Sequence, residues 1–359
     1  MLFDLRPKKS RRELFDRREE LEWLDKKIEE AAPLILVTGL RRIGKTSLLK
    51  SLLDKDNYAG IHLDLRTATK RSDLNMALKM GILENLEKIK PYLTDCSGVE
   101  VAGRKVEFKW SEEDASGLPW LLKELSKQAD RVVIVLDEAQ KLMPPLLLDM
   151  RNLIAYAYDN LDNATVIMAS SEEGVLKGIV NTYDVMSPLY GRYYYELEVK
   201  PFPRDLSIEF LKQGFKEAGV QVPMEMIEEI VDMFDGIVGW LVFAGRKIVE
   251  GERDLKRIRE AAAILAMQEL TGLPPREKQV LKAIAEGNKK WVKIREYITE
   301  ELGVNIPKPT VTQTLRRLEQ KSLIKNFKFT DPVYKEAARK LGKDEVKKKR
   351  KWRTMDKNK

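Results

Sequence analysis

The chain has 359 residues, with 65 Lys and Arg against 57 Asp and Glu, a formal net charge of +8 and 34% charged residues. That length allows two or three domains, each burying its own core. A single cysteine, Cys96, excludes an internal disulfide and any zinc site built from several cysteines, and no apolar run approaches the ~20 residues that cross a bilayer.

The first residues, MLFDLRPKKSRRELFDRREE, lack the apolar centre of a signal peptide, so a cytoplasmic protein without a membrane partner is expected. A composition rich in Lys and Glu and poor in Gln fits a thermophile. Charge is spread unevenly. Residues 273–359 hold 25 Lys and Arg against 11 Asp and Glu, a balance of +14, which leaves −6 on residues 1–272. An acidic partner for the last third is implied, nucleic acid before others; a plain solvated surface is the alternative.

In chain order, ELFDRREELEWLDKKIEEA (13–31) has helical periodicity and leads into the first of five short apolar runs. These are PLILVTG (33–39), IHLDLR (61–66), RVVIVLDE (131–138), ATVIMASS (164–171) and YYYELEVK (193–200). Most are too continuously apolar for a sheet with one wet face. Helical patterns such as TSLLKSLL, LNMALKMGILENLEKI and PPLLLDMRNLIAYAYDN separate them, which predicts an α/β fold with a mainly parallel sheet covered on both faces. The single histidine, His62, lies inside one run and reads as strand packing, leaving no base for Ser-His-Asp chemistry. VEVAGRKVEFKW (99–110) alternates around a Gly-containing turn and predicts a β-hairpin at the sheet periphery.

Beyond Pro201-Phe202-Pro203 the strands stop and helical patterns fill 206–270. Leu273-Pro274-Pro275 marks a boundary. Three short helices follow, REKQVLKAIAEG, WVKIREYITEELG and PTVTQTLRRLEQKS, then a strand-like LIKNFKF. The final KKKRKW run carries too much like charge to fold.

Gly39-Leu40-Arg41-Arg42-Ile43-Gly44-Lys45-Thr46 satisfies GxxxxGK[ST], with a strand before it and a helix after it. Glycine lets the backbone curl so that successive N–H groups face phosphate oxygens, and the helix adds its N-terminal amides. Gly39, Arg41, Arg42, Ile43, Gly44, Lys45, Thr46 and Ser47 form the expected cradle. Lys45 should reach the β- and γ-phosphates and the Thr46 hydroxyl should ligate Mg²⁺.

RVVIVLDE brings Asp137 and Glu138 to the carboxyl end of a strand, where such sheets bind ligands. Asp137 is expected in the Mg²⁺ shell, and Glu138 is placed to orient or deprotonate an attacking water. A kinase must keep water out, so this neighbouring carboxylate favours hydrolysis. Ser170 or Ser171 would sense the γ-phosphate or position water, unless they serve only local backbone bonding. Arg192, just before the fifth strand, would stabilise charge in transfer, in cis or from a neighbour, or form a structural salt bridge.

Residues 276–329 read as a helix-turn-helix with a wing. Lys308-Pro309-Thr310 opens its third helix, with Thr310 as the expected cap. Val311, Leu315 and Leu318 share one face, and Lys308, Thr312, Gln313 and Arg316 fall elsewhere, suited with Thr310 to phosphates and base edges. Lys325 and Lys328 add charge in the wing. Duplex DNA is the first expectation, aided by the basic tail. The alternatives are an arm that packs on its own acidic core or on a protein, and RNA.

Arg41-Arg42 inside a phosphate loop that continues GKTSLL resembles the archaeal ATPase family of the signal-transduction (STAND-type) P-loop NTPases, relatives of AAA+ and origin-recognition ATPases. LFDRREELEWL (14–24), DEAQ (137–140), SPLYGRYYYELEVKPF (187–202) and FTDPVYKEAAR (329–339) are similar to its further motifs. The resemblance implies a five-stranded core in the order 5-1-4-3-2, a helical lid and a C-terminal winged helix. It implies an ATP/ADP and Mg²⁺ switch with Lys45, Thr46, Asp137, Glu138 and Arg192 at matching positions; no guanine-selective Asn-Lys-x-Asp motif occurs. One departure is Val238, which stands where the lid motif has proline.

The expected organisation is a P-loop core over 1–202, a lid over 203–272, a winged helix over 273–340 and a basic tail over 341–359. The expected function is an ATP-hydrolysing switch coupled to a DNA-binding winged helix. The alternative is a signalling or scaffold ATPase whose arm binds protein or its own core, with slow or no turnover.

Overall fold

The computed structural model describes residues 1–55, 58–93, 99–102, 105–109, 117–142 and 144–341. Cys96 and the basic tail beyond Leu341 lie outside the described residues. The chain divides into two compact units, Asp4–Lys200, and Met1–Phe3 together with the residues from Pro201 onward.

The first unit runs α1 (Arg18–Glu29), β1 (Leu34–Thr38), α2 (Lys45–Leu52), β2 (Ala59–Asp64), α3 (Arg71–Glu84), α4 (Leu86–Leu93), β3 (Val99–Ala102), β4 (Lys105–Phe108) and α5 (Gly117–Gln128). It continues through β5 (Val132–Asp137), α6 (Leu146–Asn160), β6 (Ala164–Ala169), α7 (Glu173–Val180) and β7 (Tyr195–Glu198). The five apolar runs form one sheet in the order β2-β5-β6-β1-β7, every neighbouring pair parallel. Counted along the chain within this sheet, that is the expected order 5-1-4-3-2. Four strands are buried almost throughout, as continuous apolar runs must be between two helical layers, while the edge strand β7 alternates.

Strands β3 and β4 form the expected hairpin, Val99 opposite Phe108, and bury Val99 and Val106 in the core shared with the sheet. Its two turn residues lie outside the described set. The first helix is shorter than its periodicity suggests. Asp16 and Arg17 both take left-handed backbone, so α1 opens only at Arg18.

The second unit holds α8 (Arg204–Glu217), α9 (Met224–Phe234), α10 (Val238–Val249), α11 (Leu255–Thr271), α12 (Pro275–Ala285), α13 (Trp291–Leu302), α14 (Lys308–Gln320), β8 (Ile324–Lys325), β9 (Lys328–Phe329) and α15 (Pro332–Lys340). α10 starts at Val238 with Ile237 as its cap, so the helix forms without the family's proline. α14 is capped by Pro307, whose fixed φ suits a helix entry, and not by the expected Thr310, which lies inside the first turn. Val311 and Leu318 are buried and Leu315 half-buried, which is the predicted apolar face. The wing turns at Asn326 and Phe327, both at positive φ, as a two-residue hairpin loop requires.

Two contacts bind this unit together. Trp240, fully buried, donates its indole N–H to Asp331 Oδ2 at 2.8 Å, while Asp331 Oδ1 accepts the Val333 N–H and caps α15. α15 also packs on α9, α11 and α12, so the lid-like helices and the winged helix share one body. Phe3, 1% exposed, stands edge-on to Phe215 and Phe210 and presses on Gly214 and Gly245. A Cβ at either glycine would come within 2.3 or 2.5 Å of that ring, so both positions need glycine for close approach.

Candidate nucleotide site

β1 delivers the phosphate loop at the carboxyl edge of the sheet. Gly39, Arg42 and Gly44 have positive φ, which curls the backbone between strand and helix. At Gly39 (φ 143°) a Cβ would stand 2.4 Å from the Val199 carbonyl oxygen, so no other residue fits between the loop and the end of β7. Buried Ile43 anchors the loop, and α2 begins at Lys45 with Gly44 as its cap.

The Lys45 ammonium is buried and donates to the carbonyls of Gly39 and Leu40, each at 2.9 Å. Burial pushes its pKa down to about 8, against the pull of Glu138 and Asp137. Thr46 Oγ1 donates to Asp137 Oδ2 at 2.7 Å, joining the two ends of the candidate cation site. Burial alone would raise the Asp137 carboxyl. His62 beside it, Thr46 and the Glu138 N–H outweigh burial and hold it below the usual carboxylate range.

Glu138 follows at φ 56° and accepts from Gln140 Nε2 at 2.5 Å. A carboxylate in left-handed backbone is strained, and such strain concentrates at functional sites. Five buried side-chain polar atoms lack a hydrogen-bond partner among the described residues, and two of them, Gln140 Oε1 and Ser171 Oγ, belong to the segments just beyond β5 and β6. Polar atoms buried without partners at the ligand-binding edge fit a site built for a polar ligand. Among the described residues no group of three or more His, Cys, Asp and Glu could hold a metal unaided. Thr46 and Asp137 thus fit Mg²⁺, an ion that completes its shell with water and phosphate.

The other predicted residues are placed less uniformly. Ser47 Oγ accepts the Lys8 N–H. Ser170 Oγ is spent on the backbone of Glu172, whereas buried Ser171 keeps a free hydroxyl. Arg41 pairs with Glu172 at 3.0 Å, linking the loop to the segment after β6. Arg192 pairs with Asp159 near the end of α6 and lies against Tyr158. Both Arg192 and Asp159 precede their strands, so they occupy the amino edge of the sheet. The phosphate loop occupies the carboxyl edge, about 15 Å away at ~3.3 Å per strand residue. The structure therefore does not bring Arg192 to the loop of its own chain.

Sequence reading missed two contacts. His62 does pack in β2, but its Nε2 also stands 3.3 Å from Asp137 Oδ2. Arg17 is buried, and its Nη2 donates to the carbonyls of Ile43 in the loop (3.4 Å) and Lys200 at the chain's exit (2.8 Å). Only the one-histidine count could have pointed to the first; the left-handed backbone of Arg17 left no trace in periodicity.

On the second unit, Lys308, Thr312, Gln313, Arg316, Lys325 and Lys328 are exposed, and Thr310 is half-buried. Lys289, Lys290, Lys308, Arg316, Arg317, Lys325 and Lys328 have no carboxylate partner among the described residues, although Lys293 and Lys321 nearby do.

A family model described as an ATPase domain predominantly from Archaea matches residues 14–243. The chain belongs to this archaeal ATPase family. Residues 275–337 of this family member match the winged helix-turn-helix domain found at the C-terminus of MCM proteins. A Walker-type ATPase of Pyrococcus abyssi is 36% identical, covers 94% of this chain and 100% of its own, and superposes with a TM-score of 0.80. The ORC2 protein of Aeropyrum pernix in its ADP form, 16% identical over 90% and 89% of the two chains, has a TM-score of 0.56 and shares the fold. Among curated protein sequences no match is found. No helix of the described residues is long and apolar enough to cross a membrane.

Proposed function

We propose that this archaeal P-loop ATPase hydrolyses ATP with Mg²⁺ and that its nucleotide state governs a winged-helix unit that binds duplex DNA. The observation that carries the reading is the 2.7 Å contact between Thr46 and Asp137, which draws the loop hydroxyl and the strand-end carboxylate to one point beside buried Lys45. Bound Mg²⁺ would neutralise phosphate charge there. Phosphate oxygens would take over Lys45 Nζ from the Gly39 and Leu40 carbonyls. Glu138, steadied by Gln140, would accept the proton of the water whose oxygen bonds to the γ-phosphorus as the bond to ADP breaks. Ser171, with its free hydroxyl, suits the γ-phosphate better than Ser170.

Support for DNA is a set of seven cations on one basic domain that have no carboxylate partner among the described residues. A second reading, a protein-facing switch, is favoured by one observation: Tyr183, Val185, Met186, Tyr190 and Tyr193 are all more than half exposed in one loop. Nucleotide binding and turnover of the wild type beside Glu138→Gln test the first reading. The variant is expected to bind ATP normally and to lose hydrolysis by about 10²-fold or more; undiminished turnover would remove Glu138 from the mechanism.

A further inference from the structure

Trp291 opens α13 and is 37% exposed, and Val292 beside it is 41% exposed. The winged-helix core does not need this indole, since Ile294, Ile298, Val311 and Leu318 already fill it. Its surroundings are cationic. Lys308 Nζ, on the first residue of α14, sits 5.0 Å from the indole centroid, and Lys289 and Lys290 immediately precede it. None of the three lysines has a carboxylate partner among the described residues.

Phosphate binding alone asks for cations and gives no reason for an exposed indole. A protein-facing apolar patch gives no reason to collect unpaired ammonium groups. An exposed indole with one ammonium already held over its ring and two more lysines just before it in the chain meets both halves of one ligand, the π-face of an unstacked base and the phosphates that flank it.

We propose that this winged helix takes DNA carrying an unpaired base, with Trp291 stacking on that base and Lys289, Lys290 and Lys308 holding the adjacent phosphates. The assignment rests on the DNA-binding reading of the domain. A single- to double-strand junction suits it best, because exposed Thr312, Gln313 and Arg316 lie further along α14 for the duplex side.

The test is fluorescence anisotropy on the full chain with three labelled probes: a blunt duplex, the same duplex with a short single-stranded overhang, and single-stranded RNA of the overhang sequence. Wild type should bind the overhang probe most tightly. Trp291→Ala should lower that affinity by about 10-fold, within the 5- to 150-fold span of one base stack, and leave blunt duplex within about 2-fold. Trp291→Phe should retain most of the preference, and Lys308→Ala should weaken both DNA probes. Because Trp291 is exposed, equal thermal unfolding of wild type and variant will show that the fold is intact. Equal affinity for blunt and overhang DNA, or an overhang affinity unmoved by Trp291→Ala, would overturn the stacking role while leaving DNA binding in place. Preference for RNA would overturn the choice of DNA, and no binding to any probe would overturn the domain's nucleic-acid reading itself.

Discussion

Lys45 holds its charge in a costly place: it is buried, it donates to the Gly39 and Leu40 carbonyls, and burial pushes its pKa down to about 8. Such a group lowers the stability of the free protein, and on the proposed reading a bound phosphate offsets that cost. Lys45→Met should therefore leave the nucleotide-free protein as stable or raise it by about 1 kcal/mol, seen as roughly 2–4 °C in thermal unfolding. It should also abolish the stabilisation that ATP confers. A destabilised variant that still gains stability from ATP would refute this assignment. That Lys45, Thr46, Asp137 and Glu138 would come together was legible in the sequence, because phosphate and cation chemistry restricts the residue types at each spacing. Ser170 and Ser171 were not separable, since only the turn at Glu172 decides which hydroxyl is spent. The salt bridge of Arg192 to Asp159 was not separable from a role at the phosphates for a related reason: closeness to a strand in sequence does not say which edge of the sheet a side chain occupies. Arg192→Ala should accordingly change the turnover of dilute monomer less than about 3-fold, far below the 10³–10⁵ of an arginine that touches the γ-phosphate.

Strand and helix positions followed from apolar runs too continuous for a half-wet sheet, and five of them gave the five strands. The contacts that join elements were invisible, because they depend on neighbours distant in sequence. Arg17 is the clearest example. Its guanidinium spans from the Ile43 carbonyl in the phosphate loop to the Lys200 carbonyl where the first unit ends. Replacement by Met would leave both carbonyls without this donor, at a cost of about 1–3 kcal/mol each if no water enters. Arg17→Met should thus lower the unfolding temperature and weaken ATP binding together; loss of stability with unchanged ATP affinity would make Arg17 structural only. In the second unit Trp240→Phe removes the one hydrogen bond from the indole to buried Asp331. About 1–3 kcal/mol of stability should be lost, with α15 freed before α8 in hydrogen exchange. Equal protection of α15 in the variant would show that its packing on α11 and α12 suffices.

The whole chain separates charge, −6 on its first 272 residues and +14 on the rest. That asymmetry was legible from composition alone; which cations lack a carboxylate partner among the described residues was not, since pairing depends on geometry. Duplex DNA affinity should then fall by about 10³-fold or more between roughly 50 and 200 mM salt, as several released counterions require. A weak salt dependence would point to an apolar protein partner at the exposed Tyr183–Tyr193 loop. The claim that joins both units is that nucleotide turnover and the basic winged helix act as one machine. The steady-state ATP hydrolysis rate of the full chain, measured with and without duplex DNA and with Glu138→Gln as blank, tests it most directly. Stimulation by DNA, absent from the blank, is the predicted result. A rate above the blank that DNA does not change would contradict the coupling and leave an ATPase that answers to another partner.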